Sequence, residues 1–143
     1  MKLCRLAIPL LLLAAHAHAD MQQAREQIDA GDLGGARTTL TEHLAHSPGD
    51  AAARLLMARV LAWQGMPEQA IPMLERLNEE EPGNADYLLA LGQAQLWAGR
   101  IPSAVQTLEQ AKTIAPDYPD VTRALRQARI ASSAPAERIT LAQ

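Results

Sequence analysis

Residues 61–70 read LAWQGMPEQA, and residues 95–104 read QLWAGRIPSA. The two stretches lie 34 residues apart and share phase: Trp63 matches Trp97, Gly65 matches Gly99, and Ala70 matches Ala104. The chain contains only two tryptophans, so their equal phase points to an internal repeat. The period extends outward. Gly31, Ala36, Leu40 and Pro48 precede the series, and Leu74, Pro82, Leu108 and Pro116 complete it. Laying residues 51–84 over 85–118 gives eight identities. Chance would give roughly two in so Ala- and Leu-rich a chain.

Each unit reads as two helices and two turns. A proline followed by Gly-Asp, Gly-Asn or Asp-Tyr stops one helix and turns the chain. The stretch from Ala51 to Gln64 then places Leu55, Met57, Ala58, Leu61 and Ala62 at helical spacing. Gly65 can adopt the left-handed conformation that closes this helix, and Pro67 suits the first turn of the next. Ala70, Leu74 and Leu77 share one face of that second helix, which extends to about Glu80. Ala70 is small where two helices would cross. Pro72 removes one helical hydrogen bond and predicts a bend near the start of the second helix. Asp29 and Asp32 flank the first such turn and are expected to cap the helix that follows.

The unit resembles the tetratricopeptide repeat. Numbered from the residue three past each proline, that family favours small residues at positions 8 and 20 and proline at position 32. Position 8 here holds Ala24, Ala58 and Gly92; position 20 holds Ala36, Ala70 and Ala104; position 32 holds Pro48, Pro82 and Pro116. Two family preferences are missing. Its early Trp is replaced by Arg54 and Leu88, and its Tyr at position 11 by Gln27, Leu61 and Gln95. The resemblance implies an all-α fold, an α-solenoid of three helix–turn–helix units over residues 20–50, 51–84 and 85–118. A C-terminal capping helix over 119–131 follows, and residues 132–143 form a short polar tail. The LAWQG and LWAGR phrases also look like the periplasmic repeat segments that precede outer-membrane β-barrels in YaiO-like proteins and exopolysaccharide exporters, although nothing in the chain corresponds to the barrel.

Residues 1–19 carry the pattern of a secretory signal. Lys2 and Arg5 precede a short apolar run, Leu6 to Ala15, and Ala17-His18-Ala19 offers a small-x-small cleavage site. The run is too short to span a bilayer well. Cleavage would remove Cys4, the single cysteine, leaving no disulfide and no thiolate metal site. It would also remove two of the 13 basic residues and none of the 16 acidic ones, for a net charge of −5. An acidic chain of this kind is a poor partner for nucleic acid or an anionic membrane surface. Arginine far outnumbers lysine and alanine is abundant, which hints at a GC-rich bacterial genome. The expected location is therefore bacterial, periplasmic or secreted, with membrane contact only through partners.

A solenoid of this family presents the first helix of each unit on its concave side, a long surface for an extended or helical peptide. The resemblance assigns Arg25, Leu55, Arg59, Trp63, Leu89, Gln93, Trp97 and Arg123 to that groove. For the two tryptophans the ordinary role is to fill the junction between units, because Ala- and Leu-rich repeats need some large group there. The alternative is a rim position, anchoring a partner or stacking on sugar rings. His43 and His46 stand three apart on a helix without a close third ligand and read as surface histidines, not a metal site. Glu79-Glu80-Glu81 reads as a solvated helix end. No phosphate loop, nucleophile elbow or catalytic triad is present, and no cofactor is implied. The function expected is a scaffold or adaptor that binds a protein or peptide, with a component of the outer membrane or a secretion complex as the candidate partner. The alternative is an accessory of polysaccharide export or envelope assembly.

Overall fold

The computed structural model of the protein describes residues 7–133. Seven helices follow one another: α1 (Ala7–Asp29), α2 (Leu33–His46), α3 (Ala51–Trp63), α4 (Pro67–Glu80), α5 (Ala85–Trp97), α6 (Ile101–Ile114) and α7 (Pro119–Ser133). No strand occurs among the described residues. Helices α1–α2, α3–α4 and α5–α6 form the three expected units, and α7 covers the end of the stack. Each helix packs against its neighbours in sequence, as in a one-dimensional array.

The turns repeat because their chemistry repeats. Gly31, Gly65 and Gly99 have φ values of 79°, 78° and 75°. Only glycine adopts that left-handed geometry without strain. Behind Gly65 the Met66 N–H donates to the Leu61 carbonyl at 2.9 Å, and behind Gly99 the Arg100 N–H donates to Gln95 at 2.8 Å. This is the six-residue closure of a Schellman motif. The helix starts use two devices. Asp32, Asp50 and Asn84 each accept a backbone N–H from the first turn of α2, α3 and α5. Helices α4 and α6 have no side-chain cap and begin with proline in the first turn instead. Asp32 thus caps as expected, while Asp29 is the last residue of α1. Helix α4 runs unbroken through Pro72.

The small residues at positions 8 and 20 lie where helices cross. Ala24, Ala58, Ala36, Ala70 and Ala104 have no solvent-accessible surface, and Gly92 is buried with them. At Gly92 the approach is close: an added Cβ would stand 2.5 Å from Leu108 Cγ. Leu40, Leu74 and Leu108, one turn beyond the position-20 alanines, fill the interior of each unit. Two apolar clusters result. One spans α1 to α5; the other holds Leu88 and Leu89 of α5 against Leu108, Val121 and Leu125. Helix α5 contributes to both and joins them.

The expected processing point after Ala19 falls within α1. Just beyond it Met21 and Ala24 are buried, while His18 and Ala19 are exposed. No helix among the described residues is long and apolar enough to cross a membrane. Residues 134–143, most of the expected tail, lie outside the described residues; Ser132 and Ser133 still belong to α7.

Candidate functional site

Helix α3 packs on α5, and α5 on α7. No comparable packing joins α2 to α4 or α4 to α6 among the described residues. From α3 onward the first helices of successive units therefore pack together while the second helices do not, which puts α3, α5 and α7 on the inner side of the curve.

The structure distributes the expected site residues unevenly over this face. Arg25 is exposed on α1, and Arg123 is exposed on α7, where it pairs with Asp120 at 3.2 Å. Arg59 and Gln93 are half-buried on α3 and α5. Leu55 packs partly against the core. Leu89 does not belong to the open surface: it is 4% exposed, enclosed in the α5–α7 cluster, because α7 closes over it. The tryptophans also depart from their ordinary expectation. Trp63 is 45% exposed and Trp97 49%, so neither fills the junction. They line a single shallow cleft of about 400 Å³ together with Ala62, Gly65 and Pro67. Each indole ends a first helix one residue pair before its closing glycine, so the repeat brings both to the same rim.

Two contacts around this face have no periodic signature. Arg100 donates to the Glu68 carboxylate, tying the turn of the third unit to the turn of the second beside the cleft. The Tyr118 hydroxyl donates to Asp86 Oδ1 at 2.7 Å, linking the start of α7 to the start of α5. That hydrogen bond, and then burial, hold the Tyr118 hydroxyl above its ordinary pKa, and the nearby Arg59 cation acts in the opposite sense. Arg59, Asp86, Tyr118 and Asp120 thus form one mixed-charge patch. Such pairs join residues 32 apart at different phases of the repeat, so a search for equal phase passes over them.

The structure also corrects the reading of His43. It is 2% exposed, not a surface residue. Its Nε2 lies 2.9 Å from Asp50 Oδ2, and its Nδ1 lies 3.5 Å from Asp20 Oδ2. The Pro48-Gly49-Asp50 turn brings Asp50 back over the ring. Burial by itself would raise the Asp50 carboxyl; the Ala53 N–H and His43 outweigh it, and its pKa lies below the usual carboxylate value. The two carboxylates sit on opposite ring nitrogens, so they cannot close around one ion. No group of three potential metal ligands occurs among the described residues. His46 is exposed. At the acidic end of α4, Glu80 is exposed but accepts from Arg54 at 2.7 Å and from Arg76 at 3.1 Å. Arg54, standing where the repeat family has its early Trp, therefore bridges α3 to α4 through charge.

The tetratricopeptide repeat profile matches residues 27–80 and 64–128, most of the chain. The chain belongs to the tetratricopeptide repeat family. No curated protein sequence matches it. Among solved structures this tetratricopeptide domain is similar to that of P58(IPK), with a TM-score of 0.82 and 16% identity. The likeness covers 96% of this chain and 39% of that one. It is also similar to the second such domain of human RPAP3, solved in complex with the HSP70 peptide SGPTIEEVD (TM-score 0.72, 14% identity, 82% of this chain and 98% of that one). A third likeness is to a K341M mutant of Thermobaculum terrenum O-GlcNAc transferase, at a TM-score of 0.76 and 25% identity. It covers 81% of this chain and only 22% of the transferase.

Proposed function

We propose that this tetratricopeptide domain is a non-catalytic scaffold that docks a segment of a partner protein on the face of its first helices. The observation that carries the reading is the pair of half-exposed indoles sharing one cleft at the rim. Large, rigid, partly wet aromatic groups are the usual anchors of protein interfaces. Arg59, Gln93 and the Asp86–Tyr118 pair add polar partners along the same face. A related fold holding an HSP70 peptide supports peptide capture as the mode.

We place the scaffold in the bacterial periplasm or outside the cell, on the signal-like residues 1–19, with an outer-membrane or secretion component as the partner class. Fractionation of the tagged full chain, with N-terminal sequencing, tests the location; a mature chain beginning at Asp20 is expected, and retention of Met1 in the cytoplasm would overturn it. For binding, Trp63→Ala and Trp97→Ala are the informative variants. Each should stay folded, losing only about 1–2 kcal/mol of stability, while losing captured partner, about 2 kcal/mol or more of binding at a true anchor. Normal capture by both folded variants would move the partner surface elsewhere.

The same cleft supports a second reading. Two indole faces in one apolar cleft suit stacking on sugar rings, which would make the protein an accessory of polysaccharide export. Tryptophan fluorescence distinguishes the readings, because soluble oligosaccharides should quench or shift it only in that case.

A further inference from the structure

Helix α7 holds the place of a first helix in a fourth unit, with Pro119 at position 1. In α5 the residues Leu88, Leu91, Gly92 and Gln95 are buried, and Gly92 gives Leu108 of α6 its space. The same phase in α7 is Thr122, Leu125, Arg126 and Arg129. These residues line an open groove of roughly 500 Å³ between α6 and α7, with Lys112 and Ile130 on its walls. Position 8 is therefore Arg126 where the three earlier units have Ala24, Ala58 and Gly92. A second helix at the usual close approach would collide with this side chain.

The groove is apolar at its floor and basic at its edge. Ile130 is 61% exposed. Lys112 Nζ donates to Thr122 Oγ1 at 2.8 Å and to the Pro116 carbonyl, and so meets no carboxylate. Arg129 pairs with Glu109 at 3.0 Å. Arg126 has no carboxylate partner among the described residues. Three cations thus face one anion around exposed aliphatic surface, on a chain whose net charge is negative. Guanidinium groups match carboxylates in planar, two-pronged geometry.

We propose that the α6–α7 groove is a second docking surface, separate from the tryptophan cleft, for an acidic amphipathic segment of a partner protein. Its Leu, Ile or Val side chains would rest on Leu125 and Ile130, and its carboxylates would meet Arg126, Arg129 and Lys112. Arg126 supplies a charge that no carboxylate neutralises among the described residues.

The test selects short random peptides displayed on phage against the full chain, comparing wild type with Arg126→Glu and the milder Arg126→Gln, each checked by its melt. Wild type should enrich peptides with Asp or Glu beside aliphatic residues. Synthetic copies should bind Arg126→Glu about tenfold or more weakly, because attraction becomes repulsion, and should bind Trp97→Ala normally. Arg126→Glu should turn the selection toward Lys- and Arg-bearing peptides. Selection of the same peptides by wild type and both variants overturns the proposal. So does tighter peptide binding after removal of residues 134–143, which would make the chain's own continuation the occupant. Self-association in sedimentation that Arg126→Glu abolishes would assign the groove to a second copy and overturn it too.

Discussion

Helices α5 and α7 occupy the same phase of the repeat and have opposite fates. Helix α5 is enclosed from Tyr87 to Gly92 and joins two apolar clusters. Helix α7 buries one stripe, Val121, Ala124, Leu125 and Ala128, and leaves Arg123, Arg126, Gln127 and Arg129 in water. The difference lies mainly in what stands at position 8. Glycine leaves room for the Leu108 side chain of the next helix, and arginine would fill that space. One position of the repeat thus separates an enclosed helix from a half-open one.

The largest effect should come from emptying the enclosed side. Leu108→Ala removes the side chain that fills the space above Gly92 and should cost about 2–5 kcal/mol in chemical denaturation. A change near zero would mean that α5 is not clamped by α6. Overfilling the same crossing should cost less. Gly92→Ala and Ala104→Leu should each destabilise by roughly 1–3 kcal/mol. For Gly92→Ala the gain in helix propensity, about 1 kcal/mol, opposes the clash with Leu108. A net stabilisation would show that Leu108 yields without cost and that the crossing is looser than the 2.5 Å approach indicates.

Partly exposed groups should matter less to stability. Trp97→Ala removes a half-exposed ring and should cost about 1–2 kcal/mol, against about 3–5 for an enclosed one. At the open end, Arg126→Ala should alter stability by no more than about 0.5 kcal/mol. A loss of several kcal/mol there would make α7 a buried element like α5 and erase the contrast.

A pH effect separates the first unit from both helices. The folded Asp50 carboxyl lies below its ordinary value of 3.8. A depressed carboxylate contributes stability above its unfolded pKa and loses it as pH falls through the folded value. The melting difference between wild type and Asp50→Ala should therefore be full at neutral pH and shrink below about pH 3.8. A difference unchanged down to strongly acid pH would detach Asp50 from both the α3 cap and His43.

Much of the fold was legible because the repeat uses local rules. Gly65 and Gly99 close helices by backbone geometry alone, Asp32 caps by a bond three residues long, and Ala70 is small wherever its neighbour comes from. These choices are made within one turn of chain, and a period of 34 writes them three times. The face of the first helices was legible for the same reason, since phase along a helix fixes direction.

Burial was not legible in the same way. Leu89 and Leu55 hold equal phase, yet α7 closes over one and leaves the other partly open. Trp63 and Trp97 have the composition of mortar, but their places at helix ends leave each about half exposed. His43 looks like a surface residue until the turn at Pro48 folds Asp50 onto it. By itself the sequence determined the helices, their turns, their order and their phase, because those depend on neighbours within a few residues. Only the tertiary structure decided which side chains are enclosed and which charges meet, because Arg100 with Glu68 and Tyr118 with Asp86 join across units. Those contacts depend on the angle at which one unit lies on the next, a quantity set by the summed packing of many side chains and carried by no single position.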